Sequence, residues 1–155
     1  MTGLKNILLA TDFSDASDVA LATAFELARA LDATVHLLHV LALQDGTVAA
    51  SLSHEDRAAR EKRSEIKLQA LARSCEGAGR VGRVITRFGD PARLVLLTAE
   101  ELPADMIVLG THSRRGVEHW LLGSVAETVV RQAKCPVLVA KDPPLARRDG
   151  PLAGS

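Results

Sequence analysis

Asn6-Ile-Leu-Leu-Ala10, then Thr11-Asp-Phe-Ser14, then Asp15-Ala-Ser-Asp-Val-Ala-Leu-Ala-Thr-Ala-Phe-Glu-Leu-Ala-Arg-Ala-Leu31 is the stretch whose reading decides the fold. The first five residues are a short, unbroken apolar run closed by polar turn residues. Such a run fits a strand buried on both faces, as in a parallel sheet. Ser14 or Asp15 can cap a helix, because a side-chain oxygen there accepts a free backbone N–H. Val19, Ala22, Phe25 and Ala28 then recur at helical spacing, with Glu26 and Arg29 on the wet side. Thr34 to Val40, rich in branched residues, reads as the next strand, so the stretch is a β-α-β unit.

The same alternation continues outward. Leu41 to Ser53 has little pattern and reads as a long loop near a strand end, where ligands are often covered. His54 to Cys75 is a charged helix docking by its C-terminal half, ended by Gly77 to Gly82. Val84 to Phe88 is a third strand. Asp90-Pro91 starts a helix to Glu101, with Asp as cap and Pro at the first helical position. Met106 to Leu109 is a fourth strand, about Ser124 to Ala133 a helix, and Val137 to Ala140 a fifth strand after Pro136. The expected fold class is α/β: a single-domain, five-stranded parallel sheet with helices on both faces, strand order left open. The domain spans 1–141, and the Pro-rich tail 142–155 is expected to be disordered.

The chain has 155 residues, 47 % of them apolar, enough for one ordinary core. Lys+Arg and Asp+Glu are both 19, so formal net charge is zero. No basic surplus favours nucleic acid as a partner. Cys75 and Cys135 lack CxxC spacing and read as reduced thiols, partly or fully buried. No signal-peptide layout and no apolar run of ~20 residues is present, so no membrane span and a cytoplasmic location are expected.

The chemistry concentrates in Gly110-Thr-His-Ser-Arg-Arg-Gly-Val-Glu-His-Trp-Leu-Leu-Gly-Ser124, which leaves a buried strand and ends at a helix start. Gly110 permits close backbone approach. Gly123 and Ser124 lie where free helix N–H groups and the positive dipole end favour an anion such as phosphate. Ser113, Arg114 and Arg115 add a hydroxyl and two cations. Two readings stand side by side. Ser124-Val-Ala-Glu127 also has the form of an ordinary capping box, and the glycines can serve turns alone. Neither GxxxxGK[ST] nor a GxGxxG after the first strand is present, against a Walker or dinucleotide site. His112 can donate to a phosphate or be a plain loop residue. His36 reads as structural, and Trp120 as packing at the loop's edge.

Nearly the whole chain, about Lys5 to Lys141, resembles the universal stress protein family. The carrying segments are Ile7-Leu-Leu-Ala-Thr-Asp-Phe-Ser14, His36-Leu-Leu-His-Val40, Gly89-Asp-Pro-Ala92, Ala104-Asp-Met-Ile-Val-Leu-Gly110, Leu121-Leu-Gly-Ser-Val-Ala-Glu127 and Cys135-Pro-Val-Leu-Val139. The resemblance implies a Rossmann-like fold of the adenine nucleotide α-hydrolase type and, in the family's ATP-binding branch, Gly-x-x-Gly, nine residues, then Gly-Ser or Gly-Thr. Here the chain reads Gly110-x-x-Ser113, nine residues, then Gly123-Ser124. The spacing is kept and one glycine is replaced. Ser113 can offer its N–H and hydroxyl to phosphate, or crowd the turn if that position needs positive φ.

The resemblance further implies ATP, with Mg²⁺ bridging any carboxylate–phosphate contact, held by Ala10, Thr11, Asp12, Val40, Leu109, Gly110, His112, Ser113, Arg114, Gly123, Ser124, Val125 and Ala126. Asp12 is placed near the ribose and the Val40 backbone near adenine. It also implies a homodimer through the Val137–Ala140 strand. The expected function is an ATP-binding stress-response protein acting through nucleotide-dependent conformation or partner binding. The alternative is a dimeric interaction module that no longer binds nucleotide. No nucleophile–base pair or metal triad points to an enzyme; any ATP hydrolysis is expected to be slow.

Overall fold

Short apolar runs alternating with amphipathic helices produce a central sheet between two helical layers. The computed structural model describes residues 3–42, 53–111 and 122–141. Its elements are β1 (Asn6–Ala10), α1 (Asp15–Leu31), β2 (Thr34–Ala42), α2 (His54–Ser74), β3 (Arg80–Gly89), α3 (Pro91–Glu101), β4 (Met106–Thr111), α4 (Ser124–Gln132) and β5 (Val137–Lys141). All strand pairs are parallel, in the order β3-β2-β1-β4-β5. The winding therefore reverses between β1 and β4. This is the expected α/β class. The tail 142–155 lies outside the described residues.

Alternate side chains of each strand enter two cores. Ile7, Leu9, Val35, Leu37 and Val108 pack with Ala20, Ala24 and Phe25 of α1 and with Leu68 and Ala72 of α2. Leu8, Leu38, Ile107 and Leu109 pack on the other face with Ala92, Val95 and Ala99 of α3 and with Ala126 and Val129 of α4. Fully burying each large aliphatic side chain contributes about 1.5–3 kcal/mol. Ala22, expected on the packed stripe of α1, is exposed, as are Ile66 and Ala70 of α2.

The N-terminal caps follow the sequence closely. Ser14 Oγ accepts from Ser17 N at 3.2 Å and Asp90 Oδ1 from Arg93 N at 2.8 Å. At the far end of the sheet, Asp105 Oδ2 accepts the backbone N–H groups of Lys5 and Asn6 at 2.9 and 2.8 Å, tying β1 to the start of β4.

β3 starts at Arg80, four residues before the expected Val84, because a bulge hides its beginning. Val35 pairs with Val81 and Leu37 with Val84, so Gly82 and Arg83 both stand opposite His36. The displaced Arg83 N–H donates to His36 Nδ1 at 2.9 Å, and His36 Nε2–H donates to Asn6 Oδ1 at 3.0 Å. Both ring nitrogens are thereby assigned, and the imidazole is neutral. A Cβ at position 82 would lie 2.5 Å from the His36 ring, so this bulge requires glycine. Burial, and secondarily the Arg83 charge, lower the His36 pKa.

Both cysteines are free thiols, Cys75 buried and Cys135 half-buried, as the sequence indicated. Burial pushes the Cys135 thiol up from its ordinary value. No helix among the described residues is long and apolar enough to cross a membrane.

Candidate functional site

The site forms where the winding reverses, beyond the carboxyl ends of β1, β2 and β4, which is where open α/β sheets hold ligands. Its first wall is the turn after β1. Thr11 N donates to Leu38 O at 2.9 Å, and Thr11 O accepts from His39 Nδ1 at 2.7 Å, so both backbone groups are fastened to β2. Thr11 Oγ1 accepts from Phe13 N at 3.0 Å. These bonds hold Phe13 in the left-handed region, φ 63°, with its ring 4.5 Å from that of His39. A non-glycine residue there costs about 1–3 kcal/mol and persists only when its surroundings over-determine it.

Asp12, exposed at the rim, is held just as firmly. Its Oδ1 accepts from Ser17 Oγ at 2.6 Å and from Ser14 N at 3.0 Å, while its own N–H donates to Ser17 Oγ at 3.1 Å. The carboxylate thus sits over the N-terminus of α1, where the helix dipole favours negative charge.

Behind this turn is a cavity of about 260 Å³. Of the sequence-predicted residues, Ala10, Thr11, Asp12, Val40, Leu109, Gly110 and Val125 line it. Leu38 and Ala42 of β2, Pro91 and Val95 of α3, Val129 of α4 and Ser17 of α1 line it too and were not anticipated. Pro91 had a usable signal. Gly89 adopts φ 150°, a conformation L side chains rarely take, and Asp90 caps, so Gly89-Asp90-Pro91 turns the chain abruptly from β3 into the wall. The result is an apolar slot with polar groups at one lip. Its volume falls just below the ~300–1,000 Å³ typical of small-molecule pockets, so it suits a flat heterocycle with more polar parts running outward.

Gly110 lines the cavity and also carries a packing duty. A Cβ there would lie 2.4 Å from Ala16 O, 2.5 Å from the Ala16 carbonyl carbon and 2.9 Å from Ser17 N. The missing side chain lets the first turn of α1 rest on β4, and so sets where Ser17 and Asp12 stand. Gly123 is the opposite case. It is the N-cap of α4 with φ −60°, and among the described residues an added Cβ would meet only Thr111 Oγ1, at 3.6 Å. Its N–H donates to the same Thr111 Oγ1 at 3.1 Å, joining the start of α4 to the end of β4.

The capping box does not form. Gly123, not Ser124, is the N-cap, and Ser124 stands exposed one residue inside the helix. No side chain caps this end among the described residues. The first-turn N–H groups, which lack intrahelical acceptors, therefore keep their capacity for an anion. Ala126 does not line the cavity: its side chain is 2 % exposed within the core between α3, α4 and the sheet. His112, Ser113 and Arg114 lie outside the described residues, as do Arg115 and Trp120. Among the described residues no His/Cys/Asp/Glu cluster has a metal-holding arrangement.

The family model described as the Universal stress protein family matches residues 3–141. A universal stress protein of Methanocaldococcus jannaschii is 34 % identical over 139 residues, covering 88 % of this chain and 82 % of that protein. Among solved structures, the hypothetical protein MJ0577 superposes with a TM-score of 0.77 at 28 % identity, covering 91 % of this chain and 98 % of that one. A universal stress protein from Archaeoglobus fulgidus in complex with dAMP shares the fold, with a TM-score of 0.63 at 24 % identity over 91 % of this chain and all of that one (100 %).

Proposed function

Because the chain belongs to the universal stress protein family, we propose that it binds ATP in the cavity between β1, β2 and β4 and acts in a stress response by changing loops or partner contacts in the bound state. The observation that carries this reading is a convergence. An apolar slot, a carboxylate at its lip and the uncapped N-terminus of α4 meet at one sheet end. Adenine fits the slot against Val40, the ribose hydroxyls suit Asp12 as acceptor, and the phosphates suit the first turn of α4. A relative of the same fold holds dAMP. Asp12 is the one carboxylate lining the cavity among the described residues. Mg²⁺, which is commonly held by one or two carboxylates plus phosphate oxygens, would be carried in by the nucleotide and neutralise its charge.

We read the protein as cytoplasmic and as a homodimer paired through β5. The test is to release and chromatograph any nucleotide from denatured protein, then titrate ATP into the stripped chain. Saturable binding is expected, and no binding at millimolar ATP refutes the reading in favour of an interaction module without nucleotide. Gly123→Val is the informative variant. Among the described residues its Cβ meets nothing closer than 3.6 Å, yet its methyl groups obstruct phosphate approach. It is expected to fold normally and lose ATP, and normal binding by it would misplace the site.

A further inference from the structure

The cavity above opens on the side of the sheet covered by α3 and α4. A second, more open hollow of about 490 Å³ adjoins it, sharing Asp12, Val40 and Ala42, and extends toward α2 from the carboxyl end of β2. Its helical wall carries Arg60, Arg63, Ser64 and Lys67. Residues three and four apart share one helix face, so these side chains form a row. At 1.5 Å per residue, the row from Arg60 to Lys67 is about 10 Å long. At the base lie Phe13 and the buried His39, and Lys67 Nζ stands 4.5 Å from the Phe13 ring centre.

The charges are not internally balanced. Arg60 and Arg63 have no ion-pair partner among the described residues, whereas their neighbour Lys62 meets Glu65 at 3.4 Å. Asp12, at the rim shared with the cavity, is the one carboxylate lining the hollow among the described residues, and its Oδ1 already accepts two hydrogen bonds. Three cations and a hydroxyl therefore converge on a chain of zero formal net charge. Guanidinium groups bind phosphate oxygens in pairs, and a concave wall of one sign concentrates the opposite ion. One phosphate reaches one or two of these cations. A row of about 10 Å matches several phosphates in line.

We propose that this hollow is a second anion site, which binds a linear di- or triphosphate group along Arg60, Arg63 and Lys67, independently of the nucleotide cavity. The group is free polyphosphate or the tail of a second nucleotide, and one experiment separates these. Inorganic tripolyphosphate is titrated calorimetrically into the stripped full chain at near-physiological salt. Saturable binding is expected, with orthophosphate at least about tenfold weaker because it spans less of the row. Arg60→Ala/Arg63→Ala, and separately Lys67→Gln, are expected to weaken it at least about fivefold. Lys62→Ala/Arg73→Ala, two α2 cations outside the hollow, should change it less than about twofold. Gly123→Val should leave it intact, so that failure of the ATP reading and failure of this one are told apart. In that variant, displacement of tripolyphosphate by ATP assigns the group to a nucleotide and no displacement assigns it to free polyphosphate; both support the site. No saturable binding, no loss in the Arg60/Arg63 variant, or equal loss in the Lys62/Arg73 variant overturns it.

Discussion

Replacing Gly110 by alanine tests how the site is held in place. The new Cβ would lie 2.4 Å from Ala16 O and 2.5 Å from the adjoining carbonyl carbon, so the first turn of α1 must retreat by about 1 Å to reach ordinary contact. The atoms in conflict are backbone, and no side-chain rotation relieves them. Overpacking in a well-packed core costs about 1–3 kcal/mol, and a backbone clash belongs at the upper end. At ~2–4 °C per kcal/mol for a chain of this size, the melting temperature should fall by roughly 6–12 °C. The assay is thermal unfolding of nucleotide-free protein by circular dichroism at neutral pH. Gly123→Ala is its partner measurement. At an N-cap with φ −60° and 3.6 Å to the nearest described side chain, it should cost no more than about 1 kcal/mol. If Gly110→Ala melted within about 2 °C of the parent, or Gly123→Ala fell equally far, the seating of α1 on β4 would be wrongly assigned.

Acid should weaken the fold through His36. Its pKa is lowered by burial first and by the Arg83 charge second, so the unfolded chain, titrating near 6.5, takes the proton more readily. The contribution of the neutral ring is complete above that value and is lost as pH falls through the folded one. The urea midpoint should drop from about pH 7 to about pH 5 more steeply than in His36→Gln, and equal slopes would count against this assignment. Asp90→Ala removes the α3 cap bond of 2.8 Å and should cost about 1 kcal/mol, read as a lower urea midpoint with unchanged slope. Cys135, its thiol pKa raised by burial, should alkylate more slowly with iodoacetamide than a peptide cysteine at neutral pH, as followed by mass spectrometry.

Elements were legible wherever local chemistry announced them. Ser14 before an apolar periodicity, and Asp90-Pro91 before another, place the starts of α1 and α3 where the structure has them. β3 was read short because Gly82 reads as a loop until its bulge partner, His36 on another strand, is known. The same limit applied at the site. The β1 turn and the ends of β2 and β4 are local to their motifs, so Asp12, Val40 and Leu109, which line the cavity, could be named from the sequence. Leu38, Val95 and Val129 were not, because which sheet face α3 and α4 cover depends on strand order. α4 starts at Ser124 as the sequence suggested; only the capping-box reading of Ser124 does not hold, because Gly123 is the N-cap, and the helical phase set there turns the Ala126 side chain into the core.

The bulge at Gly82 has a consequence for growth in solution. β3 and β5 are the two edges of the sheet. The β3 edge is bent by an extra residue and carries Arg80, Arg83 and Arg87, devices that stop a second strand from docking. β5 is regular, with Val137, Leu138 and Val139 only half-buried. An endless ribbon of sheets needs two receptive edges per molecule, whereas one receptive edge permits only a two-fold pair that closes on itself. With β3 blunted, any sheet-to-sheet addition through β5 would stop at two copies.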